Sequence, residues 1–230
     1  MATELDDKAF HSAQSLSLKL LGAFPDYVAD FEAKLQSWQE AISPSSDPST
    51  WSSVPEVDAL IALGPKTVPL PLRHLSRAEE DATATFLYNK LEHDPEYLVD
   101  NADPTRNVTA ILKKNFRRNR VVRNALLDWD EHCEMVAIHS NAEWRTEWDE
   151  FEELVKLGPP VIPQLMLKYK PRNGPTFSYE LLHAILWGYT TELQTISLVD
   201  QYNMWDDWFQ KRNYNEAPHY AHPSQRVREE

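Results

Sequence analysis

Apolar residues recur at intervals of three or four along most of this chain, which is the period of an amphipathic helix. From Phe24 to Ile42 these intervals alternate between four and three. A helix rich in leucine and alanine is predicted before this segment, over 5–22, and Phe24-Pro25 separates the two. A coiled-coil seam needs about three or four sustained heptads. Because the segment is shorter, we interpret it as a helix packed on the protein's own core rather than as a dimerisation surface.

An internal similarity without gaps is the most informative part of the pattern. VDALIALGPKTVPLPL covers 57–72 and FEELVKLGPPVIPQLM covers 151–166, at an offset of 94 residues. Similarity at a fixed offset indicates a duplicated supersecondary unit. The matched pairs include Gly64 with Gly158, Pro65 with Pro159, and Pro69 with Pro163.

Each copy predicts a tight helical hairpin. An apolar helix ends at Leu-Gly, since glycine accepts the positive φ of a helix C-terminus, and the proline that follows prevents the helix from continuing. The next proline is tolerated in the first turn of the second helix, where no backbone donor is needed. A further helix follows each hairpin, with FLYNKL in the first copy and YELLHAILWGY in the second.

The pattern apolar–Leu-Gly-Pro–x–x–Val/Ile-Pro resembles the hairpins of HEAT and armadillo-type repeat proteins. More narrowly, it is similar to small helical proteins that carry an LGPxxxP hairpin. The resemblance covers two stretches of roughly 40 residues each, and it implies an all-α fold with a concave surface that binds peptides or partner proteins. An offset of 94 residues exceeds the usual period of about 40–47 residues. We therefore expect two hairpins separated by an inserted helix rather than a regular solenoid.

The inserted helix is predicted over 105–133. Successive steps of about 100° place an apolar stripe from Val108 to Cys133 on one face of this helix. Lys113, Arg117 and Arg120 lie on the opposite face.

Charge is strongly segregated around this helix. Residues 106–123 contain seven basic residues and no acid, whereas 128–153 contain ten acids and one arginine. One hypothesis is an anion-binding or acidic-partner surface, or a nuclear import signal. The other, which the excess of acids favours, is that the arginine-rich face pairs with the protein's own acidic surface.

These elements fit one all-α domain over 1–212, followed by a loose polar tail over 213–230. With only 5 glycines and 16 prolines in 230 residues, the composition favours helices joined by short loops over a β-sandwich or barrel. Trp51, in a Ser/Pro-rich connection over 43–56, is predicted to anchor on a neighbouring helix. The predicted parts are N-terminal helices at 1–42, HEAT-like unit 1 at 51–92, the inserted helix at 105–133, HEAT-like unit 2 at 144–189 and a capping helix at 200–212.

The net charge of −13 argues against nucleic acid or an anionic membrane as the partner. The single cysteine cannot form an internal disulfide, and there is neither a signal-peptide pattern nor an apolar run of 18 residues. We therefore expect a cytoplasmic protein, with a nuclear location left open. The absence of GxGxxG, GxxxxGK[ST], GxSxG and HExxH counts against nucleotide-dependent enzymes and α/β-hydrolases, and no cofactor is expected.

The candidate binding site rests on His183. Tyr179 and Trp187 lie one turn before and after it, and its counterpart in the first copy is the polar Asn89. Polar residues at equivalent positions of two copies can face each other across a groove. The predicted binding residues are Asn89, Tyr179, His183 and Trp187, together with Arg117 and Arg120 of the basic helix.

Three other clusters of polar residues are interpreted as parts of the protein that bind no ligand. His132 and Cys133 lie on different helix faces, which argues against a metal site with His139, and Cys133 suits a buried, inert thiol. His219 and His222, flanked by prolines, suit a solvated tail. Asp206-Asp207 resembles the metal-binding acids of terpene cyclases, but Gln210 stands where a third acid is needed. We interpret this last segment as a helix whose Trp205, Trp208 and Phe209 cap the second hairpin.

The predicted function is that of an adaptor, which binds a partner protein or peptide through a helical-repeat groove. The alternative is a small all-α enzyme with a pocket between the hairpins, using His183, Asn89 and Tyr179, with Asp128 or Asp130. A third hypothesis is nucleic-acid binding through helix 106–123, which requires Arg117 and Arg120 to be free of the acids in 128–153. The oligomeric state is not predicted.

Overall fold

The fold is all-α. The computed structural model describes residues 4–43, 47–77, 82–98, 104–136, 149–169, 178–188 and 197–218, and these contain no strand. None of the helices in these ranges is both long enough and apolar enough to cross a membrane. The α-helices are α1 (Glu4–Ala23), α2 (Pro25–Ile42), α3 (Pro55–Ile61), α4 (Pro69–Leu75), α5 (Ala82–Leu91), α6 (Pro104–Val136), α7 (Asp149–Leu157), α8 (Ile162–Lys168), α9 (Ser178–Trp187) and α10 (Leu198–Lys211).

The predicted N-terminal helix pair is confirmed, and its seam packs on the protein's own core. Phe31 and Trp38 of α2 are fully buried. The indole Nε1 of Trp38 donates to the carbonyl oxygen of Trp51 at 3.1 Å, and the two rings meet edge to face. Trp51 therefore anchors the connection between α2 and α3, as the sequence predicts.

Each Leu-Gly-Pro segment turns the chain sharply at its glycine. Gly64 has φ 74° and ψ −172°, and Gly158 has φ 69° and ψ −146°. The positive φ agrees with the prediction, but ψ is extended, so these glycines are not in the left-handed helical conformation expected of a helix C-terminus. The next helix does not start at once, because a 3-10 turn comes first, at Pro65–Thr67 and at Pro159–Val161.

The two segments contain the same elements in the same order. The series α3, 3-10 turn, α4, α5 recurs as α7, 3-10 turn, α8, α9. The two 3-10 turns contact each other, so the hairpins meet at their tight ends. That this likeness reflects a duplication of HEAT type stays a prediction.

Helix α6 is the central element, since it packs on α1, α4, α5, α7 and α8. It is longer than the predicted 105–133 at both ends. Its predicted apolar stripe is buried, including Ile111, Trp129 and Cys133. Arg118 is also buried, in an ion pair with Glu92 at 2.8 Å that connects α6 to the end of α5.

The last helix joins the two halves of the molecule. The capping helix predicted at 200–212 is observed as α10, and it packs on α9 and also on α2. Trp205 contacts His183 of α9, as expected of a cap on the second hairpin. Phe209 instead contacts Phe24 and Tyr27 at the start of the chain, so the predicted role is wrong for this side chain.

The prediction of a loose tail is also wrong for residues 213–218, whereas 219–230 lie outside the described residues. The amide of Tyr214 donates to the carbonyl oxygen of Ala62 at 2.8 Å, and its ring contacts Trp208. A Cβ on Gly64 would collide with the side chain of Tyr214. The chain after α10 therefore folds back onto the first Leu-Gly-Pro turn, where only glycine leaves room for it.

Candidate functional site: a cationic groove between α1 and α6

A groove of about 770 Å³ runs between α1 and α6. Most of its lining side chains are polar or charged, and Gln164 of α8 completes it. From α1 the lining includes Asp7, Lys8, His11, Ser12, Ser15, Leu16 and Lys19, and from α6 it includes Phe116, Asn119, Arg120 and Arg123.

The sequence of α1 explains why this face of the helix points outward. Ala9, Ala13 and Ser17 recur every four residues and are buried. Small side chains on one face let a helix approach its neighbours closely. Lys8 and Lys19, on the other side of α1, are therefore left at the surface along the groove.

The groove residues of α6 come from one side of that helix. Phe116, Asn119, Arg120 and Arg123 are spaced by three, four and seven residues, which places them on one face. The apolar stripe holds the opposite part of the helix in the core. Arg120 and Arg123 are consequently exposed and reach the groove.

Two polar contacts connect the helices that form the groove. Lys113 of α6 forms an ion pair with the buried Asp6 at the start of α1. The Gln164 side chain donates from Nε2 to Oδ1 of Asn119 at 3.2 Å, which joins α8 to α6. These contacts join the three helices that carry the groove residues.

The groove is positively charged in an acidic protein. Four cationic side chains and one carboxylate line it, while the whole chain carries a net charge of −13. Lys19, Arg120 and Arg123 form no ion pair with any residue that the structure describes. His11 lies 2.7 Å through Nδ1 from the carbonyl oxygen of Asp7, so Nδ1 donates there and Nε2 is left for another partner. Unpaired cations at a concave surface favour an anionic ligand.

The hypothesis that the basic face pairs with the protein's own acidic surface holds for part of that face within the described residues, although the partners seen do not come from 128–153. Lys113 pairs with Asp6 and Arg118 with Glu92, while Arg117 and Arg120 are exposed and form no ion pair with any described residue. The acids of 128–134 follow on α6 itself, where a rise of about 1.5 Å per residue places Asp128 roughly 12 Å beyond Arg120 along the helix axis. Among the described acids of 128–153, Asp130 forms an ion pair with Lys168 of α8 at 2.5 Å.

Of the predicted binding residues, only Arg120 lines this groove. Arg117, one turn away on α6, does not. Asn89 on α5 and His183 on α9 do not lie on helices that pack closely on each other, since α5 packs on α3, α4 and α6, and α9 packs on α7, α8 and α10. The sequence analysis expects these two residues to face each other across a groove. The structure does not bring them together in this way.

His183 lies instead inside an aromatic cluster. Its ring is 9% exposed and contacts Trp187 at 4.5 Å and Trp205 at 5.2 Å between centroids. Neither ring nitrogen has a hydrogen-bond partner among the described residues. Burial lowers the pKa of His183 to about 4, so the ring is neutral at physiological pH. Tyr179, one turn earlier, is half-buried and donates to Oε1 of Glu180 at 3.0 Å.

The residues of the alternative enzyme hypothesis lie in different surroundings. His183 is enclosed by tryptophan rings, Asp128 is exposed, and Asp130 pairs with Lys168. A catalytic site made of these residues stays a prediction that no contact among them supports.

Other sequence candidates are engaged in contacts within the protein. Asp206 accepts from Gln210 at 2.9 Å, and Asp207 pairs with Lys211 and Arg212. Cys133 is buried, as predicted. Among the described residues, no three His, Cys, Asp or Glu side chains are placed to hold a metal ion together. His139, His219 and His222 lie outside the described residues.

A buried lysine is the polar residue that sequence reasoning missed. Lys66, in the first 3-10 turn, is 0% exposed, and its Nζ donates to the carbonyl oxygens of Trp208 at 3.0 Å, Phe209 at 2.9 Å and Arg212 at 2.7 Å. It also lies 4.4 Å from the centroid of the Trp208 ring. Burial lowers the pKa of Lys66 to about 7, although Asp30 and Glu216 act against this shift. The signal in the sequence was a charge inside an otherwise apolar, proline-rich run.

Comparison with models of protein families, with curated proteins and with solved structures finds no match.

Proposed function

We propose that this protein is an interaction module that binds an acidic segment of a partner protein in the groove between α1 and α6. The observation that carries the proposal is a set of three cations, Lys19, Arg120 and Arg123, that line a groove of about 770 Å³ and form no ion pair with any described residue. Guanidinium groups bind carboxylates through two parallel hydrogen bonds. The adaptor function predicted from the sequence is retained. The proposed binding surface is the groove between α1 and α6, rather than the predicted groove between Asn89 of α5 and His183 of α9.

The charge distribution also supports a partner of limited length. A protein with a net charge of −13 repels long polyanions except where a local basic surface overcomes the repulsion. Beyond Arg123, the described part of α6 carries Asp128, Asp130, Glu131 and Glu134. A nucleic-acid strand that followed the helix would meet these acids, whereas a short acidic peptide need not extend that far. This difference favours a peptide over nucleic acid.

The test is direct binding of a short fluorescein-labelled peptide of alternating glutamate and leucine, followed by fluorescence anisotropy. We expect affinity to fall as salt is raised, because the contacts are between charges near the surface. The variant Arg120→Ala/Arg123→Ala should weaken binding by about tenfold or more, since each charge-assisted contact is worth about 1 kcal/mol.

The matched control is Lys114→Ala/Arg117→Ala, which likewise removes two positive charges of α6, from exposed side chains that do not line the groove. At physiological salt, where screening acts over about 8 Å, this variant should change affinity by less than about twofold. Equal losses in both variants would show that only general charge matters, and that result would overturn the assignment of the groove. If a labelled oligonucleotide binds more tightly than the peptide, with the same dependence on Arg120 and Arg123, then the ligand of the groove is nucleic acid rather than a peptide.

A further inference from the structure

Resting on the proposed function, we infer that the acidic segment bound in this groove is amphipathic and carries a large apolar side chain beside its acids. The inference rests on two exposed leucines, Leu18 of α1 and Leu127 of α6. Each lies about one turn beyond a residue that lines the groove.

Leu18 continues the groove along α1. It follows Ser15 by three residues and precedes Lys19, both of which line the groove. Its side chain is 53% exposed. Leu21, a further turn along, is also exposed. The end of α1 therefore presents apolar surface next to a cationic side chain.

Leu127 has the equivalent position on α6. It follows Arg123 by four residues, which places it on the same face of the helix as the groove residues. It is 49% exposed. Within the groove, the partly buried Leu16 and Phe116 add apolar surface to the cationic lining.

These positions define what the ligand must offer. Carboxylates of the ligand meet Lys19, Arg120 and Arg123, and an apolar side chain covers Leu18 or Leu127. A purely acidic ligand would leave both leucines in water, whereas an amphipathic ligand removes apolar surface from water on both partners. Amphipathic helices bind grooves in this manner, with apolar anchors spaced by three or four residues.

The experiment compares two fluorescein-labelled peptides, one with Glu-Glu-Leu repeats and one with Glu-Glu-Ala repeats, on four forms of the full-length protein. These forms are the wild type, Leu18→Ser, Leu127→Ser and the control Leu198→Ser, which changes a leucine of α10 that is 45% exposed. Circular dichroism verifies that each variant is folded, which is expected because all three side chains are on the surface.

We expect the wild type to bind the leucine peptide about fivefold more tightly than the alanine peptide, since half-exposed leucines are covered only by the former. At least one of the single variants Leu18→Ser and Leu127→Ser should lose this preference while keeping its affinity for the alanine peptide. The control Leu198→Ser should keep the preference for the leucine peptide. Equal affinity of the wild type for both peptides overturns the inference and leaves the proposed function intact. An unchanged preference in both groove variants likewise overturns it. Failure of the wild type to bind either peptide overturns the proposed function itself.

Discussion

Replacement of the buried Lys66 by methionine should change how the stability of the protein depends on pH. The ammonium group donates to three carbonyl oxygens near the C-terminal end of α10, but it is also removed from water. Desolvation outweighs the favourable contacts and lowers the pKa from its usual 10.5 to about 7. Lys66→Met abolishes both effects while keeping a side chain of similar length.

The direction of the effect follows from proton binding. Between about pH 7 and pH 10.5 the unfolded chain keeps the proton on Lys66 whereas the folded protein releases it. The unfolded state therefore binds more protons, and the free energy of unfolding rises with pH across this window. One pKa unit corresponds to about 1.4 kcal/mol, so this group adds a slope of up to about 1.4 kcal/mol per pH unit.

Lys66→Met should remove that slope. Near about pH 10 the neutral amine of the wild type still donates to buried carbonyl oxygens, and its loss should cost about 2–4 kcal/mol of unfolding free energy. Towards neutral pH the wild type pays an increasing desolvation cost, so the difference between the two proteins should shrink. At about pH 7 the contribution of Lys66 to wild-type stability should be lower than near pH 10 by about 4 kcal/mol, so Lys66→Met should there be as stable as the wild type or more stable.

The assay is urea unfolding followed by far-UV circular dichroism at several pH values from neutral to alkaline. Circular dichroism is preferable to tryptophan fluorescence because Lys66 lies against the ring of Trp208. The control is Lys211→Met, which removes an exposed lysine in the last turn of α10, the helix that supplies carbonyl partners of Lys66. A wild-type slope no steeper than that of Lys66→Met would refute the reasoning, since it would mean that the folded protein holds the proton as tightly as the unfolded chain.

Four further substitutions test the packing. Gly158→Ala should cost about 1–3 kcal/mol in urea unfolding because of its positive φ, and Gly64→Ala should cost more, because a Cβ there also collides with the tyrosine packed on it. The pKa of His183 is lowered to about 4, so the unfolded state binds more protons between about pH 6.5 and 4, and stability falls as pH falls through this window. His183→Phe should reduce this acid sensitivity by roughly 2 kcal/mol in thermal melts at neutral and acidic pH, and an unchanged sensitivity would contradict the assignment. Glu92→Leu leaves a buried guanidinium without its carboxylate and should cost about 3–5 kcal/mol; a loss under about 1 kcal/mol in urea unfolding would count against the buried pair.

Much of the fold could be predicted because its signals are local. The spacing of apolar residues identified the seam of α2 and the stripe of α6, and both are buried. Glycine followed by proline identified both tight turns, since positive φ and a missing donor are properties of the residues themselves. Helix positions were accordingly close to those observed, although the 3-10 turns after Gly64 and Gly158 were not foreseen.

The candidate site could be predicted only in part. A basic binding surface on the helix after residue 105 was one of two hypotheses, and Arg120 was among the predicted binding residues. The second wall of the groove, on α1, was not predicted. Asn89 and His183 were paired on the strength of the offset between segments. That offset relates positions along the chain and does not specify which helices pack together.

The sequence by itself determined an all-α protein, the course of its main helices and the two glycine turns, since these depend on periodicity and on backbone preferences within a few residues. Only the tertiary structure decided which charges are paired. Arg118 meets Glu92 in the core while Arg120 stays exposed, although the two are neighbours in one basic run. Lys66 is buried because the end of α10, more than a hundred residues later, supplies its carbonyl partners. Coulomb and hydrogen-bond energies depend on distance in space, and that distance is set by the packing of α1, α6 and α10 rather than by the order of residues along the chain.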